Sequence, residues 1–334
     1  MQHKEALPLL SVVIPTRNRM KYAIPAIRSI LRIPSNELEL IIQDSSDSDA
    51  LGVFIQANIG DPRLHYNYSK PPVSGVDNFN IAARFATGEY VSFIGDDDGI
   101  NPEIMIATQW AKVHDLDAMT PSLCATYYWP DFETRYRGLS HAGRLYLGSF
   151  SGAVSFPDMR SEMQKCVHRA GQDFVGLPKV YYGIVKRQCL VQINEQTGVY
   201  FNGASPDIYS ALAVASLAER VCTIDYPLFV PGSSIASTAG DSARGKHIGR
   251  LEEIPHLNAR VVHEWPEFVP RFYSVETVRA EAAIKALTAM NRNDLVREFN
   301  FPLLHAACAV AHIDHLPQIL HSLYRSLHLA NNGQ

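Results

Sequence analysis

The sequence predicts an α/β fold built around a parallel sheet, because strand-like and helix-like segments alternate four times in the first 100 residues. The strand-like runs are short and rich in apolar or aromatic residues, and the segments between them have helical spacing of their apolar positions. Polar residues stand where strands end, at Thr16, Asp44, Ser74 and residues 96–98. Since ligands of such sheets bind beyond the carboxyl ends of the strands, we expect the functional site at this edge.

The first two strands are the clearest. A strand is predicted at residues 9–14 (LLSVVI), where Pro15 stops it, and a helix is predicted at residues 22–33. The second strand covers residues 38–43 and ends at Asp44. Both runs are continuous and apolar, which is typical of buried strands.

The next two strands are separated by turn and capping residues. Polar capping residues precede a helix at about residues 50–58, and an edge-type strand is predicted at residues 63–68. A Pro/Gly loop leads to a helix at residues 77–86, which stops at Gly88. The fourth strand begins at Tyr90.

The fourth strand ends in three consecutive aspartates, Asp96, Asp97 and Asp98. Carboxylates this close repel and raise one another's pKa, so a cation is needed to offset them. A divalent metal, Mg²⁺ or Mn²⁺, is the simplest candidate because it prefers oxygen ligands. Asp96 and Asp98 project to the same side of an extended segment and are the expected ligand pair. The alternative is an acidic loop that caps the helix starting near Pro102.

The second half of the chain has a weaker pattern. Residues 117–128 are predicted as a strand that Pro121 interrupts. Residues 129–150 are rich in aromatic residues, Arg and Gly, and are interpreted as a hairpin or loop insert. Their aromatic side chains are candidates for stacking on a ligand or for ordinary packing. A helix at residues 157–168 and a strand at residues 180–185 follow.

A second chemical site is predicted at Asp207. Ser205 and Pro206 are typical of a helix start, and the following helix covers residues 208–217. A carboxylate in the first turn of a helix stays ionised, so Asp207 is a candidate for chemistry. Stabilisation of the helix dipole alone would explain the same residue.

The segment after this helix is predicted as a strand pair at residues 221–230 and a mobile loop at residues 232–249, where Gly, Ser and Ala dominate. Arg244, Lys246 and His247 in this loop are candidates to close over an anionic ligand, or they are simply solvated. Residues from 259 to about 330 have helical patterns and no catalytic motif. We interpret them as a helical appendage that packs on the core or on another copy of the chain.

Composition excludes some classes of function. A formal charge of -4 and a pI near 6.3 give no reason to expect nucleic acid as a partner. No apolar run has the length of a membrane span, and no secretory signal is visible. The five cysteines are scattered without a C-x-x-C pair, which is typical of reduced thiols in a cytoplasmic protein.

Four segments together carry a resemblance: SVVIPTRNR, LIIQDSSDSD, GEYVSFIGDDD and the proline four residues later. Over the first 110 residues or so, their order and spacing resemble the family 2 glycosyltransferases. The resemblance implies the GT-A fold, a Rossmann-like nucleotide-binding sheet with helices on both faces. It also implies a nucleoside diphosphate sugar donor, a Mg²⁺ or Mn²⁺ cofactor and inversion at the transferred sugar.

The resemblance also assigns roles to residues. A base-reading aspartate matches Asp44, which predicts that UDP, dTDP or GDP binds better than ADP. The two acidic metal-motif positions match Asp96 and Asp98, and the general base matches Asp207. A C-terminal histidine that completes a metal shell matches His247. An arginine frequent in the family beside the asparagines is missing here. The residues assigned to nucleotide-sugar binding are Pro15, Thr16, Asn18, Asp44, Gly75, Asn78, Asn80, Asp96 and Asp97. Helix capping and turn formation would equally explain Thr16, Asn18 and Asn80.

These observations predict a cytoplasmic, metal-dependent, inverting glycosyltransferase that acts on a glycan or lipid-linked acceptor in polysaccharide synthesis. Residues 1–258 would form the catalytic domain, with a nucleotide-sugar half (1–115) and an acceptor half (116–258), and residues 259–334 the helical region. A peripheral membrane contact and a homo-oligomer formed by the C-terminal helices stay open. The alternatives are a sugar nucleotidyltransferase, whose Gly-rich loop is absent here, and a non-catalytic sugar-binding relative.

Overall fold

The computed structural model describes residues 7–254 and 256–332. Its strands are β1 (Leu10–Thr16), β2 (Leu38–Asp44), β3 (Leu64–Tyr68), β4 (Tyr90–Phe93), β5 (Gly99–Ile100), β6 (Ala118–Pro121), β7 (Ala125–Tyr128), β8 (Arg144–Leu147), β9 (Val154–Ser155), β10 (Ile184–Lys186), β11 (Val221–Ile224), β12 (Phe229–Val230) and β13 (Gly232–Ser233).

The α-helices of the described residues are α1 (Met20–Leu31), α2 (Ala50–Asn58), α3 (Gly75–Ala83), α4 (Ile104–Val113), α5 (Met159–His168), α6 (Arg187–Thr197), α7 (Pro206–Ala215), α8 (Thr238–Ala243), α9 (Ala259–His263), α10 (Val275–Ala289), α11 (Asn293–Arg297), α12 (Phe301–Ala311) and α13 (Leu316–Asn332). Single 3₁₀ turns cover Leu251–Glu253 and Ile313–His315. None of the helices in this part of the chain combines the length and apolar composition needed to cross a bilayer.

The main sheet has the strand order β3-β2-β1-β4-β10-β6-β11-β9. Strands β3, β2, β1 and β4 are parallel, so the parallel nucleotide-binding half predicted from the sequence is confirmed. Strands β10 and β9 are antiparallel to their neighbours, which makes the whole sheet mixed. Thr16 pairs in register with Asp44, and Asp44 with Tyr68. The carboxyl ends of the first three strands therefore form one edge.

The sheet is covered on both faces, as its apolar strands predict. Val13 faces one hydrophobic cluster, and its neighbours Val12 and Ile14 face another. Helix α1 covers the second cluster, while α7 and α10 cover the first. Ala280, Ala283 and other small residues of α10 are fully buried. The C-terminal helices thus share one core with the sheet.

A small three-stranded sheet, β13-β7-β8, stands beside the main one. The strand predicted at residues 117–128 splits at Pro121, and its two parts join different sheets. β8 lies in the insert predicted at residues 129–150, but it forms its hairpin with β7, which precedes that insert. Because β13 pairs with β7, Gly232 lies next to Tyr127 of this hairpin, although more than 100 residues separate them in the sequence.

Two sequence predictions for the second half were wrong, and one helix lies where no element was predicted. Residues 232–249 are not simply a mobile loop, since they contain β13 and α8, which is capped by Ser237. The strand predicted at residues 180–185 begins only at Ile184, because Tyr182 has a left-handed φ of 60° that turns the chain. Helix α6 was not predicted as a helix.

Candidate active site

The ends of β1, β2 and β4 are joined by side chains that the sequence singled out. The Thr16 hydroxyl donates a 2.5 Å hydrogen bond to Oδ2 of Asp96. Nδ2 of Asn78, on α3, donates to the carbonyl oxygen of Thr16 at 3.1 Å and to that of Gln43 at 3.3 Å. Thr16, Asn78 and Asp96 therefore form one connected group at the carboxyl edge.

Arg19 supplies the cation that the three aspartates require. Its Nε lies 2.8 Å from Oδ1 of Asp96, and its Nη2 lies 2.8 Å from Oδ2 of Asp97. The Arg19 side chain is 20% exposed, and the two carboxylates are almost fully buried. The three aspartates predicted a cation at this place, but a metal ion was expected. Arg19 was not identified, although it lies in the loop directly after β1.

Asp98 is held by backbone donors. Its Oδ2 accepts a hydrogen bond from the Gly95 amide at 2.5 Å, and its Oδ1 accepts one from the Gly232 amide at 2.6 Å. The Tyr181 hydroxyl also donates to Oδ2, at 3.3 Å. Burial raises the pKa of Asp98 to about 7, and the neighbouring Asp97 carboxylate adds to this effect.

Asp96 has a similarly raised pKa. Burial and the neighbouring Asp97 and Asp98 carboxylates raise the pKa of Asp96, the Arg19 guanidinium and the Thr16 hydroxyl lower it, and the net value is about 7. Arg19 therefore offsets only part of the unfavourable energy of charging these buried carboxylates.

The acidic edge does not fit a resident metal ion in this arrangement. Carboxylate oxygens suit Mg²⁺ or Mn²⁺ in kind. However, Asp96 and Asp97 hold Arg19, and both oxygens of Asp98 already accept hydrogen bonds. Across the described residues, no group of three His, Cys, Asp or Glu side chains is placed to hold a metal. A cation would have to arrive with its own ligands and displace these donors.

Asp44 lies at the edge but is enclosed. Its side chain is fully buried, its Oδ1 accepts a 2.8 Å hydrogen bond from the Ser46 amide, and its Oδ2 accepts one from the Tyr66 hydroxyl at 3.0 Å. Asn18 joins the neighbouring loops, because its amide donates to Ser46 Oγ at 2.7 Å and its Nδ2 donates to Asp47 at 2.9 Å. The assignment of both residues to nucleotide binding stays a prediction, as it does for Pro15, which pairs with Gln43 inside the sheet.

Asn80 connects α3 to the segment that leads into α7. Its Oδ1 accepts hydrogen bonds from the amides of Tyr200 at 2.9 Å and Phe201 at 3.0 Å. Its Nδ2 donates to the carbonyl oxygens of Phe201 and Val76. All these partners are backbone groups, so Asn80 fixes the path of the chain towards Asp207.

A cavity of about 530 Å³ lies next to the acidic edge. Asp207, in the first turn of α7, lines it, as do Gly75 at the start of α3, His247 and Tyr181. The ring of Tyr181 lines the cavity while its hydroxyl donates to Asp98. The cavity of the predicted base and the acidic edge therefore share this tyrosine. Burial and Asp98 raise the pKa of Tyr181 far above its ordinary value, so its hydroxyl remains a donor.

Residues of the C-terminal region position Asp207. The Ala204 amide, three residues before Asp207, donates a 2.7 Å hydrogen bond to Oε2 of Glu281 on α10. Glu281 is fully buried, and Lys285 balances its charge at 3.1 Å. The Ser205 hydroxyl donates to Oδ1 of Asp207 itself. No local motif marks Glu281, because its partner lies 77 residues away.

Two further cations face the same cavity wall. Nζ of Lys179 lies 5.1 Å from the centre of the Phe174 ring, and the Arg279 guanidinium carbon lies 4.9 Å from it. Burial lowers the pKa of Lys179, an effect that Asp207 opposes and Arg279 reinforces. Phe174 and Arg279 line the cavity with Asp207. Sequence reasoning missed these residues, since nothing in their local pattern separates them from ordinary surface cations.

His247 is placed in the cavity rather than among the aspartates. Its ring lies 4.7 Å from that of Tyr273, and burial lowers its pKa. No contact joins it to Asp96 or Asp98 in the described part of the chain, and its role as a metal ligand stays a prediction. Of the aromatic residues after β7, Trp129 reaches the acidic edge, where its Nε1 donates to the Asp97 carbonyl oxygen at 2.8 Å.

The chain is similar in sequence to known glycosyltransferases. Residues 11–171 match the family model described as glycosyl transferase family 2. Over 97 residues the chain is 37% identical to a protein of Escherichia coli strain K12 named as a colanic acid biosynthesis glycosyl transferase, WcaA, covering 28% of this chain and 34% of that one. It is 36% identical, also over 97 residues, to the GalNAc(5)-diNAcBac-PP-undecaprenol beta-1,3-glucosyltransferase of Campylobacter jejuni, covering 28% and 30%. The match thus spans about a third of the length of either relative.

The fold likeness extends over almost the whole chain. The structure of S. aureus TarS residues 1–349 in complex with UDP-GlcNAc superposes with a TM-score of 0.53 and 17% sequence identity. The superposition covers 95% of this chain and 92% of that one. At this identity the likeness shows the fold, including the helices that follow the sheet.

Proposed function

Since residues 11–171 place this chain in the family 2 glycosyltransferases, with a GT-A fold, we propose that it transfers a sugar from a nucleoside diphosphate sugar to a hydroxyl group of a glycan acceptor. The observation that carries the proposal is the position of Asp207. Its carboxylate lines a cavity of about 530 Å³ at a helix start, beside the acidic edge. This volume is within the range of small-molecule sites.

Asp207 would act as the general base. It would accept the proton of the acceptor hydroxyl as that oxygen attacks the anomeric carbon and the nucleoside diphosphate leaves. Attack from the side opposite the leaving group inverts the anomeric centre, so we propose inversion. The Ser205 hydroxyl donates to Oδ1 of Asp207 and would orient the carboxylate.

The acidic edge would lie on the donor side. Thr16, Asn78 and the aspartates meet there, and Gly75 connects this edge with the cavity. The S. aureus structure holds UDP-GlcNAc, which supports a nucleotide sugar as donor. Mg²⁺ or Mn²⁺ would enter as part of the nucleotide, because phosphate oxygens commonly complete its ligand set. Asp98 and Asp96 would then be its protein ligands, once Arg19 and the backbone donors release them.

The acceptor would be a glycan, free or carried on a lipid diphosphate. The Campylobacter relative is named for an undecaprenol-linked acceptor and the E. coli relative for colanic acid, which supports a role in polysaccharide biosynthesis. Lys179 and Arg279, which face Phe174 on the cavity wall, would attract a phosphate of such an acceptor.

The test is release of nucleoside diphosphate by the purified protein from UDP-, dTDP-, GDP- and ADP-sugars with Mg²⁺ and a glycan-lipid extract. We expect release from uracil, thymine or guanine donors and little from ADP-sugars, because a carboxylate at Asp44 accepts a hydrogen bond from a ring N–H. Pyrophosphate formation from a sugar phosphate and a nucleoside triphosphate would indicate a nucleotidyltransferase instead. Binding without any release would indicate a non-catalytic relative.

A further inference from the structure

The hairpin region has a composition unlike the rest of the chain. From Thr134 to Pro157 the sequence contains Arg135, Arg137 and Arg144 but no Asp or Glu. The whole chain has a net charge of -4, so this segment of positive charge is a local exception. We call residues 135–156 the hairpin surface.

The hairpin surface exposes many large apolar side chains. Leu145 is 60% exposed and Leu147 is 61% exposed, although both belong to β8, an edge strand of the small sheet. The other exposed apolar residues of this surface are Tyr136, Leu139, Tyr146, Phe150, Val154 and Phe156. Proteins normally cover or charge an apolar edge strand, so this exposure indicates an interaction surface.

The surface is nevertheless firmly folded. The Gly148 amide donates a 2.7 Å hydrogen bond to the Cys124 carbonyl oxygen, and the Phe150 ring lies 5.2 Å from that of Tyr226. Tyr146 packs edge-on against Tyr128 at 5.5 Å. The exposed leucines are therefore held in place on a rigid support.

The guanidinium groups of this surface are not neutralised by carboxylates of the described residues. In the described part of the chain, none of Arg135, Arg137 and Arg144 forms an ion pair, and Arg135 lies over the Tyr136 ring. The nearby carboxylate of Asp225 already accepts hydrogen bonds from Ser151 and Ser122. Free cations beside exposed aromatic and aliphatic residues are complementary to an anionic lipid surface.

We propose that the hairpin surface docks this protein on an anionic lipid bilayer. Leu145 and Leu147, which share one face of β8, would enter the headgroup region with Phe156. Arg144, on the other face of this edge strand, and Arg135 and Arg137 in the preceding loop would contact lipid phosphates beside them. A second copy of the chain is a poorer occupant, because a symmetric contact through this surface would bring like charges together without any carboxylate of the surface between them.

Docking would also orient the candidate active site. β8 pairs with β7 and β7 with β13, whose Gly232 amide donates to Asp98. The small sheet therefore carries β8 of the hairpin surface at one edge and contacts the acidic edge of the main sheet through β13 at the other. The benefit for a lipid-linked acceptor rests on the proposed function, whereas binding to the bilayer does not.

Flotation of the full chain with phosphatidylglycerol/phosphatidylcholine vesicles, and with pure phosphatidylcholine vesicles, tests the proposal. We expect binding to the anionic vesicles and roughly 100-fold weaker binding by R135Q/R137Q/R144Q, since each arginine near an anionic surface contributes about a fivefold factor. The apolar variant L145S/L147S should lose binding as well. The control I106S/V113S changes two side chains on α4 with 72% and 70% exposure and should bind like the wild type.

Three results would overturn the proposal: no binding to anionic vesicles, equal binding to phosphatidylcholine alone, or equal loss in the control variant. Sedimentation analysis tests whether a second copy of the chain occupies the surface instead. A wild-type dimer that becomes monomeric only in L145S/L147S would assign the surface to another copy. Melting curves check the fold of each variant. Should L145S/L147S misfold, vesicle binding by R135Q/R137Q/R144Q alone tests the proposal. Loss of vesicle binding with unchanged nucleotide release would leave the proposed function standing.

Discussion

Nη2 of Arg19 lies 2.8 Å from Oδ2 of Asp97, inside the acidic edge of the sheet. The same guanidinium contacts Asp96, so one cation joins the loop after β1 to the end of β4. The Arg19 guanidinium thereby offsets part of the repulsion among three adjacent, buried aspartates.

Removing Arg19 should destabilise the protein strongly. R19M leaves two buried carboxylates without their cation, and such losses typically cost about 3 kcal/mol or more. The control is R17M, because Arg17 is 41% exposed and makes only a 3.7 Å ion pair with the exposed Asp47 and a long, 3.4 Å hydrogen bond to the Val73 carbonyl oxygen. We expect R17M to change the free energy of unfolding by less than about 0.5 kcal/mol. Urea unfolding measures both, and equal effects of the two variants would contradict this role for Arg19.

The raised pKa of Asp96 should appear in the pH dependence of stability. The folded pKa is about 7 and the ordinary value is 3.8, so the folded state retains a proton that the unfolded state has released between these values. This contribution to stability is fully present below about pH 4 and is lost as the pH rises through about 7. D96N lacks the titration. We therefore expect wild-type stability to fall relative to D96N by at most about 1.4 kcal/mol per pH unit in this window.

Urea unfolding of both proteins from pH 4 to 8 gives this comparison directly. Curves that stay parallel over the window would show that Asp96 titrates normally in the folded state.

Asn80 should matter more for stability than for nucleotide binding. N80A removes the acceptor of two backbone amides, Tyr200 and Phe201, which costs about 2 kcal/mol when such groups are buried. UDP affinity, measured by calorimetry, should stay within a few-fold. N58A is the control, because exposed Asn58 makes only one local hydrogen bond. A large loss of UDP affinity with unchanged stability would assign Asn80 to the donor site, as the sequence resemblance implies.

Nucleotide binding should depend on a divalent cation. Arg19 is one positive charge among three carboxylates, so a diphosphate approaching this edge meets excess negative charge. We expect UDP to bind more tightly with Mn²⁺ or Mg²⁺ than with a chelator, and D98A to lose this difference. Calorimetry with UDP checks both statements. Equal UDP affinity with the metal and with the chelator would show that nucleotide binding does not require a divalent cation.

The nucleotide-binding half of the fold was predictable because its signals are local. Strands β1 and β2 are continuous apolar runs, and Ser205 with Pro206 marks the start of α7 within two residues. The strand ends that carry Thr16, Asp44 and Asp96 follow from the parallel arrangement alone. These elements can be predicted without knowing which distant residues they contact.

The rest depends on contacts between distant parts of the chain. Gly232 donates to Asp98 across 134 residues, and Glu281 holds Ala204 across 77. Neither residue has a distinctive local pattern. The sequence therefore suggested a helical appendage, whereas Glu281 of α10 supports the segment before Asp207. The strand expected at residues 180–185 failed for a related reason, since Tyr182 adopts a left-handed turn beside Tyr181 and Asp98.

The transfer rate of D207N tests the central claim most directly. Asn has nearly the volume of Asp and can accept a hydrogen bond at a helix start, so the melting temperature and the UDP affinity should hardly change. Release of nucleoside diphosphate in the presence of acceptor should fall by about 10²–10⁴-fold, because the variant cannot accept the acceptor proton. Near-normal release by a folded D207N protein would contradict the assignment of Asp207 as the base.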